Sequence, residues 1–145
     1  NNNIRFKYFQ NDNFNVLKPS IIHDSCIICS SSIIGISNQI FPRVFINGDV
    51  KIGENNIINS ASIIEHETEI GSNCHIGIGV VIAGRVKIND FVYIGANATI
   101  IENVEIANNV IIGAGSVVIN DVLLPGTYVG NPVRKIKWFI LQALL

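Results

Sequence analysis

The stretch IGIGVVIAGRVKINDFVYIGANATI, residues 76–100, puts an isoleucine at every sixth position: Ile76, Ile82, Ile88, Ile94 and Ile100. Followed outward in both directions the series does not break. It begins at Val16, passes through Ile22, Ile28, Ile34, Ile40, Ile46, Ile52, Ile58, Ile64 and Ile70, and ends through Ile106, Ile112, Val118 and Leu124. Two residues before each of these positions stands a smaller or β-branched residue, such as Ser20, Cys26, Ser32, Val44, Ser62, Thr68, Cys74, Val80, Val86 and Ala98. Asn38 and Asn56 are the polar exceptions. The position after each aliphatic residue favours turn-forming types, among them Gly35, Asn47, Gly53, Asn59, Gly71, Gly77, Gly95 and Gly113, and these are expected to form the corners.

A period of six with two inward residues suits a short strand followed by a bend. Three such units close a triangular coil of about 18 residues. The predicted fold is therefore all-β: a left-handed parallel β-helix, the hexapeptide form of the solenoid. About six coils at roughly 4.8 Å spacing make a prism near 30 Å tall. Residues 16–129 are expected to form this β-helix domain, after an N-terminal segment at 1–15 and before a C-terminal turn and short helix at 130–145. The helix is expected from Lys135 to Leu145, where Trp138, Phe139, Leu141, Leu144 and Leu145 would close the end of the prism or pack on a neighbour.

The composition of the 145 residues agrees with one well-packed domain: 48% hydrophobic, only 14% charged, formal net charge −1. A chain so nearly neutral has no broad electrostatic footprint for nucleic acid or an anionic membrane, and neither partner is expected. The most apolar run, Ile136 to Leu145, is about half of a ~20-residue membrane span. Three cysteines at unpatterned spacing point to a reducing compartment, and a cytoplasmic location is expected. The chain opens with Asn1-Asn2-Asn3 and contains no methionine, so its natural start is expected upstream.

If residues 18 apart lie above one another, columns can be read directly. Gly77, Gly95 and Gly113 then stack above Asn59, with Ala96 and Ala114 beside them, as a smooth trough that a thin ligand could enter and onto which His75 opens. The other reading is that corners simply tolerate glycine. His66 falls in the column Gly48, His66, Gly84, Glu102, flanked in sequence by Glu65 and Glu67. A carboxylate beside an imidazole can orient it as a general base; a solvated histidine is the alternative. His66 and His75 are half a coil apart, so a site using both would need two subunits, and a symmetric homotrimer is expected. Cys26 and Cys29 have CxxC spacing, but Cys26 is an inward position and no second pair exists. His23, His66 and His75 do not have the ligand spacing of the β-helical carbonic anhydrases, and no metal is expected. Arg134, Lys135 and Lys137 offer charge for ligand phosphates, or only a solvated helix start.

The run Ile63-Ile64-Glu65-His66-Glu67-Thr68-Glu69-Ile70-Gly71, then His75, then Gly130-Asn131-Pro132-Val133-Arg134, resembles the hexapeptide-repeat acetyltransferases of sugar biosynthesis. The subfamily is that of the bacillosamine, perosamine and sialic acid acetyltransferases, and the resemblance covers about Ser20 to Lys135. It implies transfer of acetyl from acetyl-CoA to the 4-amino group of a nucleotide-linked sugar in glycan biosynthesis. It further implies His66 as general base, Glu67 as its tuning carboxylate and Asn59 in positioning the acceptor or His66. His75, Gly84, Gly95, Ala96, Gly113 and Ala114 would line the acetyl-CoA site, in a homotrimer with sites between subunits. Members usually carry an N-terminal Rossmann-like domain for the sugar nucleotide, and Ile4 to Phe9 resembles the end of its last helix. The same base and thioester site would serve O-acetylation of a sialic-acid-like or other sugar hydroxyl. A metal-dependent hydratase and a non-catalytic β-helical scaffold are the remaining alternatives.

Overall fold

The computed structural model describes residues 2–11 and 19–136. Within them the chain winds as a triangular solenoid of two-residue strands whose partners are 18 residues apart, so that Ile57 pairs with His75, His75 with Tyr93 and Tyr93 with Ile111. Three parallel sheets form its faces. The first contains Ile57–Ile58, His75–Ile76 and Tyr93–Ile94; the second Ile63–Ile64 and Val81–Ile82; the third Glu69–Ile70 and Lys87–Ile88. This is the parallel β-helix that the period demands, consistent with the left-handed coil.

The interior is built from both inward classes. Isoleucines from Ile40 to Ile112 and valines such as Val44, Val80 and Val92 are buried in one continuous column. Most polar residues of the second class offset the cost of facing inward by donating to the next coil. The hydroxyls of Ser32, Ser62 and Thr68 reach the carbonyls of Asn47 (2.6 Å), Gly77 (2.9 Å) and Ala83 (3.0 Å). Asn38 and Asn56, the exceptions of the pattern, form an internal ladder. Asn38 Nδ2 donates to Gly53 O (2.8 Å) and Asn56 Nδ2 to Gly71 O (2.9 Å), while their Oδ1 atoms accept from the amides of Asn56 (2.9 Å) and Cys74 (2.7 Å). Asn56 thus both donates and accepts inside the prism through its side-chain amide. Cys74 packs there too, its thiol pushed up to about 12 by burial, which makes it unreactive.

The corners differ from expectation. The left-handed residue is not the one after the isoleucine but the one three after it, and it recurs at every sixth residue from Ser37 to Gly115. Most are not glycine: Arg43, Glu67, Arg85 and Phe91 all have φ near 60°. A non-glycine residue there costs about 1 kcal/mol or more. From Arg43 onward each is held by an amide hydrogen bond to the coil below, such as Glu67 N to Gly48 O (3.0 Å) and Arg85 N to His66 O (2.9 Å). The glycines after the isoleucines answer to a different constraint, close stacking. A Cβ on Gly77 would lie 2.7 Å from Ala96 N, and one on Gly95 2.5 Å from Ala114 N.

The clock also fails at its last step. Val122, not Leu124, takes the inward place: Val122 bridges Ile106 and is 3% exposed, whereas Leu124 is 64% exposed. Pro125 follows, and without an N–H it cannot continue the ladder. Gly126–Val129 then pairs with Val110–Ile112, and the chain turns back as Arg134–Ile136, antiparallel to it. Lys135 and Ile136 are therefore strand rather than the start of the expected helix. The remainder of that helix, with Trp138, Phe139, Leu141, Leu144 and Leu145, lies outside the described residues, as does Val16.

A short helix, α1 (Asn2–Phe9), docks on the corner between the third and first faces. Arg5 donates to Asn55 O (3.0 Å) and Cys74 O (3.1 Å), and Phe6 meets Phe91 edge to face at 5.2 Å.

Asn56→Ala is expected to destabilise the fold by about 2–4 kcal/mol, because it leaves Gly71 O and Cys74 N without partners inside the prism. Lys51→Ala breaks only the exposed 2.8 Å pair with Glu69, which solvent screens, and should leave stability nearly unchanged. Urea unfolding of both variants measures the difference; equal midpoints would contradict the ladder's role.

Candidate active site

His66 stands at the corner between the second and third faces, just past the strand Ile63–Ile64. Its Nδ1 lies 3.1 Å from Glu67 Oε2. The Glu67 carboxyl is held below the usual carboxylate range, first by this hydrogen bond and then by one from Arg85, so it is an ionised acceptor. An acceptor requires the proton to sit on Nδ1. The Nε2 lone pair is thereby left free, and the ring is 43% exposed at its side chain. Glu65, on the other side in sequence, accepts from Asn47 Nδ2 at 2.5 Å.

The imidazole has room because of Gly84. A Cβ at that position would lie 2.6 Å from His66 Nε2 and 2.7 Å from Cε1. The structure therefore sets Gly84 against the histidine, one coil above it.

Sequence reasoning did not single out Arg85. It stacks directly over Glu67, and Nη1 donates to Glu67 Oε2 at 3.3 Å. Its Nε donates to Asn103 Oδ1 (3.1 Å), and Nη2 pairs with Glu102. The signal was available: stepping by one coil from Glu67 reaches Arg85 and then Asn103.

The other predicted residues gather elsewhere. Asn59 lies at the corner between the first and second faces, its Oδ1 accepting from Ser60 N (2.9 Å), with no hydrogen bond to His66. Gly77, Gly95 and Gly113 stack above it, with Ala96 and Ala114 alongside. Each glycine is already required by stacking, Gly113 because a Cβ would meet Val129 Cγ1 at 2.7 Å. His75 projects from the first face between Ile57 and Tyr93, its ring 5.0 Å from that of Tyr93. Burial, and then the charge of Arg5, push its pKa down, so it is neutral at physiological pH. One chain thus carries two groups on separate parts of the prism: His66, Glu67 and Gly84 at one corner, and His75 with the small-residue track at another. His23 hydrogen-bonds Ser25 (2.9 Å) at the far end of the prism. Among the described residues, no three His, Cys, Asp or Glu side chains converge as metal ligands. No helix among those residues is long and apolar enough to cross a membrane. Cys26 is a wall residue whose thiol reaches Phe41 O at 3.1 Å, and Cys29 is exposed.

Residues 67–101 and 85–120 match the family described as bacterial transferase hexapeptide (six repeats). No curated protein matches the chain by sequence. Solved structures do. A variant of perosamine N-acetyltransferase from Caulobacter crescentus, in complex with CoA and GDP-perosamine, is 28% identical with a TM-score of 0.90, over 94% of this chain and 65% of that one. The acetyltransferase domain of PglB from Neisseria gonorrhoeae, in complex with acetyl coenzyme A, is 25% identical with a TM-score of 0.89, over 94% of this chain and 67% of that one. WeeI from Acinetobacter baumannii is 28% identical with a TM-score of 0.78, over 81% and 57%. The chain thus spans about two thirds or less of the length of these relatives. Within 67–120 the chain therefore carries repeats similar to those of that family, and the solved structures it is similar to include perosamine N-acetyltransferase and the acetyltransferase domain of PglB.

Proposed function

We propose that the chain transfers acetyl from acetyl-CoA to the 4-amino group of a nucleotide-linked amino sugar, with His66 as general base. The observation that carries this reading is the His66 Nδ1 bond to Glu67, which leaves Nε2 unprotonated and open to solvent beside Gly84. The likeness to a perosamine N-acetyltransferase holding CoA and GDP-perosamine supports the substrate pair.

The chemistry follows from these groups. A sugar ammonium first sheds one proton to solvent, and Nε2 within ~3 Å accepts the second as the neutral amine attacks. The nitrogen adds to the thioester carbonyl carbon, and a backbone N–H on the glycine-rich track steadies the oxyanion. The intermediate expels the CoA thiolate, which takes its proton from the imidazolium. Glu67 orients the ring and compensates its charge while it is protonated. His75, Gly84, Gly95, Ala96, Gly113 and Ala114 are proposed to line the acetyl-CoA path, and Asn59 to position the acceptor.

Because His66 and the track occupy different corners, the site is proposed to form between subunits of a homotrimer. The second face suits such burial: Phe45, Ile63, Val81 and Val117 point outward from it, whereas the third face carries the pairs Lys51–Glu69 (2.8 Å) and Lys87–Glu105 (3.0 Å). A cytoplasmic location, where acetyl-CoA is made, belongs to the same reading.

The test is CoA thiol release from acetyl-CoA against nucleotide-linked 4-amino sugars and hydroxyl-only sugars. Amine-dependent release is expected, lowered about 100-fold or more in His66→Ala. Release with hydroxyl acceptors only would favour O-acetylation. Acetyl-CoA binding without release would leave acceptor recognition to residues outside this chain, and no binding at all would favour the scaffold. Gly84→Ala should cut kcat while unfolding at nearly the wild-type midpoint, since its methyl displaces only the solvent-facing imidazole. An unaltered kcat would separate the ring's position from catalysis.

A further inference from the structure

We propose that Arg85 is a positioning residue for the His66–Glu67 pair, pinning the Glu67 carboxylate against His66 Nδ1; its consequence for acetyl transfer rests on the reading of His66 as the base. One oxygen, Glu67 Oε2, accepts both from His66 (3.1 Å) and from Arg85 Nη1 (3.3 Å). The Glu67 side chain is 54% exposed. Left alone, an exposed carboxylate pairs with a neighbour for little free energy and samples other rotamers, so it would not keep an imidazole in one tautomer. Arg85 removes that freedom. Its planar fork is fixed on the far side by Asn103 Oδ1 at Nε (3.1 Å) and by Glu102 at Nη2. A guanidinium held in two directions presents its third arm at a defined place, which the single point charge of a lysine does not.

The backbone makes this arrangement a property of the fold. Glu67, Arg85 and Asn103 occupy the same left-handed corner position in three successive coils, with φ of 58°, 57° and 63°. Their side chains therefore leave the prism in the same direction, one coil apart. Arg85 N also donates to His66 O at 2.9 Å, so the residue that holds the carboxylate holds the histidine's own carbonyl. The positive charge of Arg85 further favours the ionised Glu67, the form that can only accept from Nδ1.

The test combines a reading of the ring itself with kinetics. With 15N-labelled protein at a pH where His66 is neutral, long-range 1H–15N spectra should show the proton on Nδ1 in the wild type. In Arg85→Met the ring should move toward the ordinary excess of the Nε2–H form, and Arg85→Lys should lie between. In the acetyl-transfer assay, Arg85→Met should lower kcat about tenfold with an unchanged KM for acetyl-CoA. Because Arg85 acts through Glu67, the double variant with Glu67→Gln should lose no more than Glu67→Gln alone. An unchanged tautomer in Arg85→Met, or losses that multiply in the double variant, would overturn the proposal. A tautomer shift in a protein that transfers no acetyl would leave Arg85's role intact and remove the base function.

Discussion

The alignment of one coil on the next governs everything else in this molecule. Each amide of a short strand finds its carbonyl one coil away, and the inward isoleucines follow as an unbroken column. A two-residue strand has almost no stability of its own; stacked, it is one rung of a long parallel sheet. The same repeat then dictates the corners. Backbone of successive coils approaches so closely at Gly77 and Gly95 that no Cβ fits, and two residues further on the chain must turn through left-handed space whatever side chain stands there.

Chemistry inherits this geometry. A solenoid lays side chains in columns, so a catalytic group can only be supported by residues just before it, just after it, or one coil above or below. His66 uses both routes: Glu67 is its chain neighbour, and Gly84 lies in the coil above, which also brings Arg85 over Glu67. The regularity equally keeps the His66 corner away from the column of Asn59, Gly95 and Gly113. A second copy is the natural way to unite them, and the outward apolar residues of the second face provide a surface for it.

Much of this was legible in the sequence because inward positions obey one rule. The period located the core, the three faces and the columns, and the columns set His66 against Gly84. What escaped were positions under other constraints. The left-handed corner admits Ala61, Arg85 and Phe91 because a backbone bond, not side-chain preference, holds it, so composition gives no signal there. The glycines announced a corner but answer to coil spacing. Leu124 kept the period while Pro125 broke the ladder beneath it, and Val122 moved in. Lys135 and Ile136 carry a helix-forming composition that pairing with Tyr128 and Thr127 overrides. Arg85 was within reach of the column arithmetic but carried no motif of its own.

In the proposed arrangement a working site joins the His66 corner of one subunit to the small-residue track of another. Subunit complementation tests this most directly. His66→Ala lacks the proposed base, and Ala114→Trp places bulk in the track at an exposed position; each alone should be inactive. Co-expressed, they should form mixed assemblies in which some sites receive an intact half from each variant, and acetyl transfer should return. Mixed assemblies that form and remain inactive would contradict the shared site.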